Sequence, residues 1–135
     1  LLCRVFEAMG AIAIDREDIK QSLKVIIEVS KEVKNGRNFL IFAEGTRSRN
    51  GNKVGEFKGG SFKAATKAKS PIVPVALVDA FKPFDEKTLQ EVNVKVCYLK
   101  PIPYEEYKEM SSNEIAKLVE ERIQNKIDEL TGEKH

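Results

Sequence analysis

Asn38-Phe39-Leu40-Ile41-Phe42-Ala43-Glu44-Gly45-Thr46-Arg47-Ser48-Arg49 decides how this chain is read. The first half is a short apolar run of strand length, and it reads as a buried strand. The second half switches at once to a carboxylate, a glycine, two hydroxyls and two guanidiniums. A strand end that turns polar this sharply can present its groups to a ligand. The mixture suits a phosphate. Arg47 and Arg49 can fork onto phosphate oxygens. Gly45 allows close approach of backbone N–H groups. Thr46 and Ser48 add hydroxyl donors, and Glu44 can hold an arginine or accept a ligand hydroxyl. On chemistry alone, a solvated turn with a surface ion pair is an equal alternative.

Reading outward, apolar residues at helical spacing in Leu1 to Met9 suggest the end of a helix closed by Gly10. A short strand, Ala11 to Ile14, ends in Asp15 and Arg16. Asp18 caps a helix running to about Lys34, with Ile19, Leu23, Ile26, Ile27 and Val33 inward and Gly36 as its stop. Strand, helix, strand is then a right-handed parallel crossover. Arg49 to Gly55 is a turn-rich loop placed to move over a ligand. Gly59 and Gly60 lead into a helix over Ser61 to Lys69 whose N-terminus adds positive potential beside it.

Pro71 introduces an almost wholly apolar strand, Ile72 to Val78, expected centrally with both faces covered. Phe81 and Phe84 are read as core packing, with an acyl groove as the less favoured alternative. Val92 to Leu99 alternates like a strand nearer the edge, and Pro101 and Pro103 stop it. Ser111 and Glu114 form a capping box for a last, structural helix with Ile115, Leu118, Val119, Ile123, Ile127 and Leu130 inward and Gly132 at its end. The expected fold is α/β, a mainly parallel central sheet with helices on both faces, in one domain over residues 1–135.

The polar stretch resembles the third signature block of the glycerolipid acyltransferases, with Ala43 standing where proline is commonest. Gly10-Ala11-Ile12-Ala13-Ile14-Asp15-Arg16 resembles the second block and Pro71-Ile72-Val73-Pro74-Val75-Ala76-Leu77 the fourth. Phe57 to Ala65 resembles the segment between. Three blocks in order make the signal specific, over about Met9 to Leu77. The family's first block, His-x-x-x-x-Asp, is not in this sequence, whose single histidine is His135. The resemblance therefore implies the substrate-binding part of an acyltransferase, N-terminally truncated, with no catalytic residue of its own.

That resemblance implies transfer of a fatty acyl group from acyl-CoA or acyl-carrier protein to a lysophosphatidate-like acceptor, making phosphatidate. Arg16, Glu44, Gly45, Thr46 and Arg47 would bind the acceptor, with Asp15 and Pro74 supporting. The alternative is a non-catalytic module that binds phospholipid headgroups. No cofactor, metal or nucleic acid is called for. A membrane surface is the expected partner, and the cytoplasmic face of the membrane the expected location, peripheral or anchored through an N-terminal region.

Composition agrees with a folded chain: 135 residues, 41% hydrophobic, 33% charged, net charge +2. Between Glu44 and Lys69 the basic residues Arg47, Arg49, Lys53, Lys58, Lys63, Lys67 and Lys69 face only Glu44 and Glu56. Such a field attracts anionic lipids and acyl carriers, although Lys63, Lys67 and Lys69 also fit a solvated helix face. Cys3 and Cys97 form no C-x-x-C pair and are expected reduced and buried. No apolar run reaches the ~18 residues of a membrane span.

Overall fold

The computed structural model describes residues 4–5, 8–12, 19–85 and 91–132. Asp15, Arg16 and Asp18, the end of the expected 11–14 strand, Cys3 and the Phe84 side chain lie outside what it describes. Met9 N–H donates to the Val5 carbonyl (3.0 Å), and Gly10 follows at φ +68°. The expected helix end is therefore present.

Helix α1 spans Ile19–Lys34. It stops where Gly36 takes φ +91° and the Asn35, Gly36 and Arg37 amides fold back on the last carbonyls. Its buried residues are Val25, Val29 and Ser30, with Ile26 and Val33 half-buried beside them. Leu23 and Ile27, expected inward, are exposed. The reason is rotational: a residue two positions from Val25 sits about 200° around the helix. Ser30 donates its hydroxyl to the Ile27 carbonyl (2.8 Å), so burial leaves it satisfied.

A 3₁₀ turn, Gly59–Phe62, leads directly into helix α2, Lys63–Ala68. Ala64 packs on Val25 and Val29 of α1. Strand β1, Val75–Val78, is followed by the short helix α3, Lys82–Asp85, and strand β2, Lys95–Tyr98. A short helix α4, Tyr104–Tyr107, precedes the long helix α5, Ser112–Thr131. In α5 the capping box is made in full. Ser111 N–H donates to Glu114 Oε2 (2.7 Å), and Glu114 N–H donates to Ser111 Oγ (3.3 Å). Gly132 closes the helix at φ +73°.

The expected parallel sheet is not what the described residues form. β1 pairs antiparallel with β2, Val75 opposite Tyr98 and Val78 opposite Lys95, and an isolated bridge joins Ile72 to Ile102. The run Asn38 to Ala43 enters no ladder among the described residues, and Leu40 (75%) and Phe42 (68%) are exposed. Nor is β1 covered on both faces. Ala76 and Val78 are buried against α5, while Leu77 on the other face, and Val73 ahead of the strand, are exposed. Strand alternation sends successive side chains to opposite faces, and α5 covers only one. Cys97 is half-buried and unpaired, not fully buried.

The main core gathers Ile115, Ala116, Val119, Ile123 and Ile127 of α5 with Phe57, Phe62, Ala76, Val78, Ile102 and Tyr107. Leu118 and Leu130 pack at its margin. Tyr107 is fully buried, and its hydroxyl donates to the Ser70 carbonyl at the end of α2. Burial, with Tyr104 edge-on at 5.4 Å, pushes its phenol from 10.0 up to about 12.

Tyr107→Phe leaves the Ser70 carbonyl without that donor and should cost about 1–3 kcal/mol in urea unfolding. Because the folded pKa is raised, this contribution is complete below the ordinary phenol range. It falls as pH climbs from 10.0 towards about 12, and Tyr107→Phe should lack that alkaline loss. An unfolding curve unchanged by the substitution would contradict the assigned role.

Candidate phosphate-binding loop

The polar stretch that follows Ala43 is a turn closed at several levels. Gly45 N–H donates to the Phe42 carbonyl (3.0 Å), with Gly45 at φ +68°, a backbone region that glycine enters without steric cost. Lys58 N–H donates to the Ala43 carbonyl (2.9 Å), which ties the start of the turn to the residue before the 3₁₀ helix. Glu44 Oε2 accepts from the Gly55 N–H at 2.9 Å. A Cβ at residue 55 would lie 2.7 Å from that oxygen, so a larger residue there would push the carboxylate aside. Further out, Ser48 donates its hydroxyl to the Lys53 carbonyl (3.0 Å) and accepts from Asn50 N–H (3.3 Å). Lys53 N–H donates to the Asn50 carbonyl (3.1 Å).

Thr46 and Arg47 therefore sit between two closures, Glu44–Gly55 and Ser48–Lys53. Thr46, Arg47 and Arg49 are exposed, and Glu44, Gly45 and Ser48 are half-buried. Glu44, read from sequence as an arginine holder or ligand acceptor, has one carboxylate oxygen committed to the loop backbone. Gly45 directs its own N–H inward to the turn. Pro74 is fully buried, and its carbonyl accepts from Leu99 N–H (2.9 Å), so it builds the strand region. Arg16 and Asp15 lie outside the described residues.

The loop does not hang free as a lid. Asn52 Nδ2 donates to Asp79 Oδ1 (3.0 Å), and Asp79 N–H donates back to Asn52 Oδ1 (2.8 Å). Val54 N–H donates to Gln124 Oε1 (2.9 Å) and Phe57 N–H to Glu120 Oε2 (2.9 Å), both on α5. Gln124 is itself held by Asp128 (Nε2 to Oδ1, 2.8 Å). These four anchors, Asn52, Asp79, Glu120 and Gln124, carry no signature of their own. The only local hint was the Asn50-Gly51-Asn52 turn and an aspartate at a strand end.

Asp79 takes φ +62°, which aspartate tolerates better than most residues. The Asn52 hydrogen bond holds its carboxyl below its ordinary value. Burial opposes this, and Lys82 (3.1 Å) adds to the lowering. A depressed folded pKa stabilises the chain above the ordinary carboxylate value and is lost as pH falls through the depressed one. Asn50, Gly51, Asn52, Val78, Asp79 and Lys82 contribute to the walls of an open cleft of about 420 Å³ beside this anchor.

No group of three His, Cys, Asp or Glu side chains suited to a metal ion occurs among the described residues. No helix among them is long and apolar enough to cross a membrane.

Glu44→Ala should release the Gly55 amide, and Gly55→Ala should displace the carboxylate. In either variant the 53–56 amides are expected to exchange with solvent faster while those of α5 keep their protection. Equal exchange rates in the parent and both variants would show that the Glu44 contact does not hold the loop.

A family model described as Acyltransferase matches residues 1–78. Among curated relatives, the probable 1-acyl-sn-glycerol-3-phosphate acyltransferase of Mycoplasma genitalium is 31% identical over 125 residues, covering 86% of this chain and 46% of its own length. The 1-acyl-sn-glycerol-3-phosphate acyltransferase of Escherichia coli is 34% identical over 125 residues, covering 92% of this chain and 51% of its own. The crystal structure of the 1-acyl-sn-glycerophosphate (LPA) acyltransferase of Thermotoga maritima superposes with a TM-score of 0.67 at 28% identity. That match covers 82% of this chain and 45% of that one. The chain spans about half the length of these relatives.

Proposed function

This chain belongs to the acyltransferase family, and we propose that it supplies the acceptor-binding part of a 1-acylglycerol-3-phosphate O-acyltransferase. The relatives named for that activity support the substrate class. The observation that carries the reading is the pre-closed turn that exposes Thr46 and Arg47 between two backbone-satisfying closures. A phosphate monoester needs charged, forked donors held in place, and a turn that satisfies its own polar groups offers them.

In this reading Arg47 grips the phosphate of lysophosphatidate, Thr46 adds a hydroxyl and Gly45, its own N–H committed to the turn, leaves room by having no side chain. Arg16, at the end of the Gly10–Arg16 block, adds a second guanidinium. Glu44 keeps the turn closed.

The chemistry requires a base. The acceptor's free hydroxyl oxygen attacks the thioester carbonyl of acyl-CoA or acyl-carrier protein, and its proton passes to the base. The tetrahedral adduct collapses, the C–S bond breaks and the thiolate leaves, taking that proton as a thiol. Within the family resemblance the base is the histidine of the His-x-x-x-x-Asp block, outside these 135 residues.

In the whole protein the 38–43 run joins β1 in a mainly parallel sheet, which would cover Leu40 and Phe42. The reaction takes place at the cytoplasmic face of the membrane, where both lipid and acceptor reside. The excess of lysine and arginine over residues 44–69 favours such an anionic surface.

Arg47→Ala should weaken lysophosphatidate binding by about 1.5–3 kcal/mol, the range for a hydrogen bond to a charged group, in a calorimetric titration. Unchanged affinity would remove Arg47 from the pocket. The isolated 135-residue chain should show no acyl transfer from acyl-CoA. Turnover by it would place the base inside this chain and make Glu44 the candidate.

A further inference from the structure

The reciprocal pair between Asn52 and Asp79 stands apart from every other contact of the loop. It joins the tip of the turn to the end of β1, 27 residues further on, through two hydrogen bonds running in opposite directions. Each partner has a second restraint. The Asn52 carbonyl is approached by Gln124 Nε2 (3.5 Å), and Asp79 is paired with Lys82 (3.1 Å). Asp79 holds a left-handed backbone (φ +62°) in which its N–H meets the Asn52 amide oxygen. The acyl-transfer chemistry uses neither residue.

We propose that Asn52 and Asp79 are positioning residues that set the affinity for the phosphate-bearing acceptor by fixing the loop that carries Arg47 and Arg49. The inference rests on the reading of Arg47 as the phosphate ligand. The mechanical path is short. Asn52 adjoins Lys53, whose carbonyl takes the Ser48 hydroxyl, and Ser48 adjoins Arg47. Freed from Asp79, the tip from Asn50 to Lys53 loses its tie to β1 and keeps its internal turn, the Ser48 contacts and the Gln124 contact. The backbone that carries Arg47 and Arg49 is then held less firmly, and binding weakens by the cost of ordering it.

A positioning role and a purely structural one separate kinetically. A variant that merely folds less well lowers the active fraction, so kcat falls and neither KM moves. A loop that must be ordered by its ligand raises KM for the acceptor and leaves KM for the acyl donor alone.

The test compares Arg47→Ala, Asn52→Ala, Asp79→Ala and Asp79→Asn in the full-length protein, assayed with 1-acyl-glycerol-3-phosphate and acyl-CoA. Asn52→Ala and Asp79→Ala should each raise acceptor KM roughly two- to thirtyfold, the span of coupling exerted by residues that do not touch a ligand. The double variant should be no worse than the more severe single one, because the two share one contact. Asp79→Asn keeps an acceptor oxygen for Asn52 Nδ2, keeps the backbone N–H and tolerates positive φ, so it should restore acceptor KM to near the parent value. If Arg47→Ala raises acceptor KM while Asn52→Ala and Asp79→Ala change only kcat, the clasp is structural and the proposal is overturned. If Arg47→Ala leaves acceptor KM unchanged, the phosphate assignment itself fails, whatever the clasp variants do.

Discussion

The apolar stripe of α5 is the constraint on which the rest depends. Ile115, Val119, Ile123 and Ile127 recur every four residues and are buried against β1, Phe57, Phe62 and Tyr107. Full burial of one such side chain is worth about 1.5–3 kcal/mol, so the stripe fixes the rotation of the helix as well as its position. With that rotation set, Glu120 and Gln124 fall one turn apart beside the stripe, and their side-chain oxygens meet the Phe57 and Val54 amides. An irregular loop cannot satisfy all its own N–H groups, and here a helix more than 60 residues away supplies acceptors. Gly59 marks the same packing: a Cβ there would come within 3.2 Å of the Ser112 backbone and 2.3 Å of Asn113 Oδ1. Remove the stripe, and the loop loses its anchors.

What could be read in the sequence follows from how local the deciding interactions are. The start and stop of α5 were legible because Ser111, Glu114 and Gly132 act within one turn of themselves. The end of α1 at Gly36 was legible for the same reason. The sheet was not, because apolar content says that a segment is to be covered and not by what. The 38–43 run and the outer face of β1 both read as buried, yet Leu40, Phe42 and Leu77 are exposed among the described residues. On α1 the apolar set was broader than one face, and Val25 and Val29 won the core where Leu23 and Ile27 did not. In the site, the switch after Ala43 from an apolar run to polar groups was legible, and the structure places a turn there with Thr46 and Arg47 exposed. The partner of Glu44 was not, since Gly55 reads as loop punctuation until its clearance to the carboxylate is seen.

β2 has a register with β1 that puts Leu77 opposite Val96 and Val75 opposite Tyr98, and β1's buried Ala76 and Val78 face α5. The resulting ribbon has one dry face and one apolar but open face. Val96 and Tyr98 project on the open side with Leu77 and remain exposed.

The polar loop is arranged the other way round. Its carboxylate, hydroxyl and amide side chains, on Glu44, Ser48 and Asn52, turn inward to backbone and to Asp79, while the guanidiniums of Arg47 and Arg49 lie at the surface. Ordering a loop of this length costs on the order of 1 kcal/mol per residue, and that cost is met once, at folding, by contacts that owe nothing to a ligand. On the proposed reading, a phosphate arriving at such a loop meets a backbone that is already in place. The same arrangement explains why the anchors need not resemble a binding site. Glu120 and Gln124 act on α5's flank, and Asp79 acts at the end of β1, yet all three hold the chain that follows the arginines. With Arg47 as the phosphate ligand, as proposed, binding strength becomes a property of the helix–strand–loop assembly, because the anchors act on the backbone that carries the arginine.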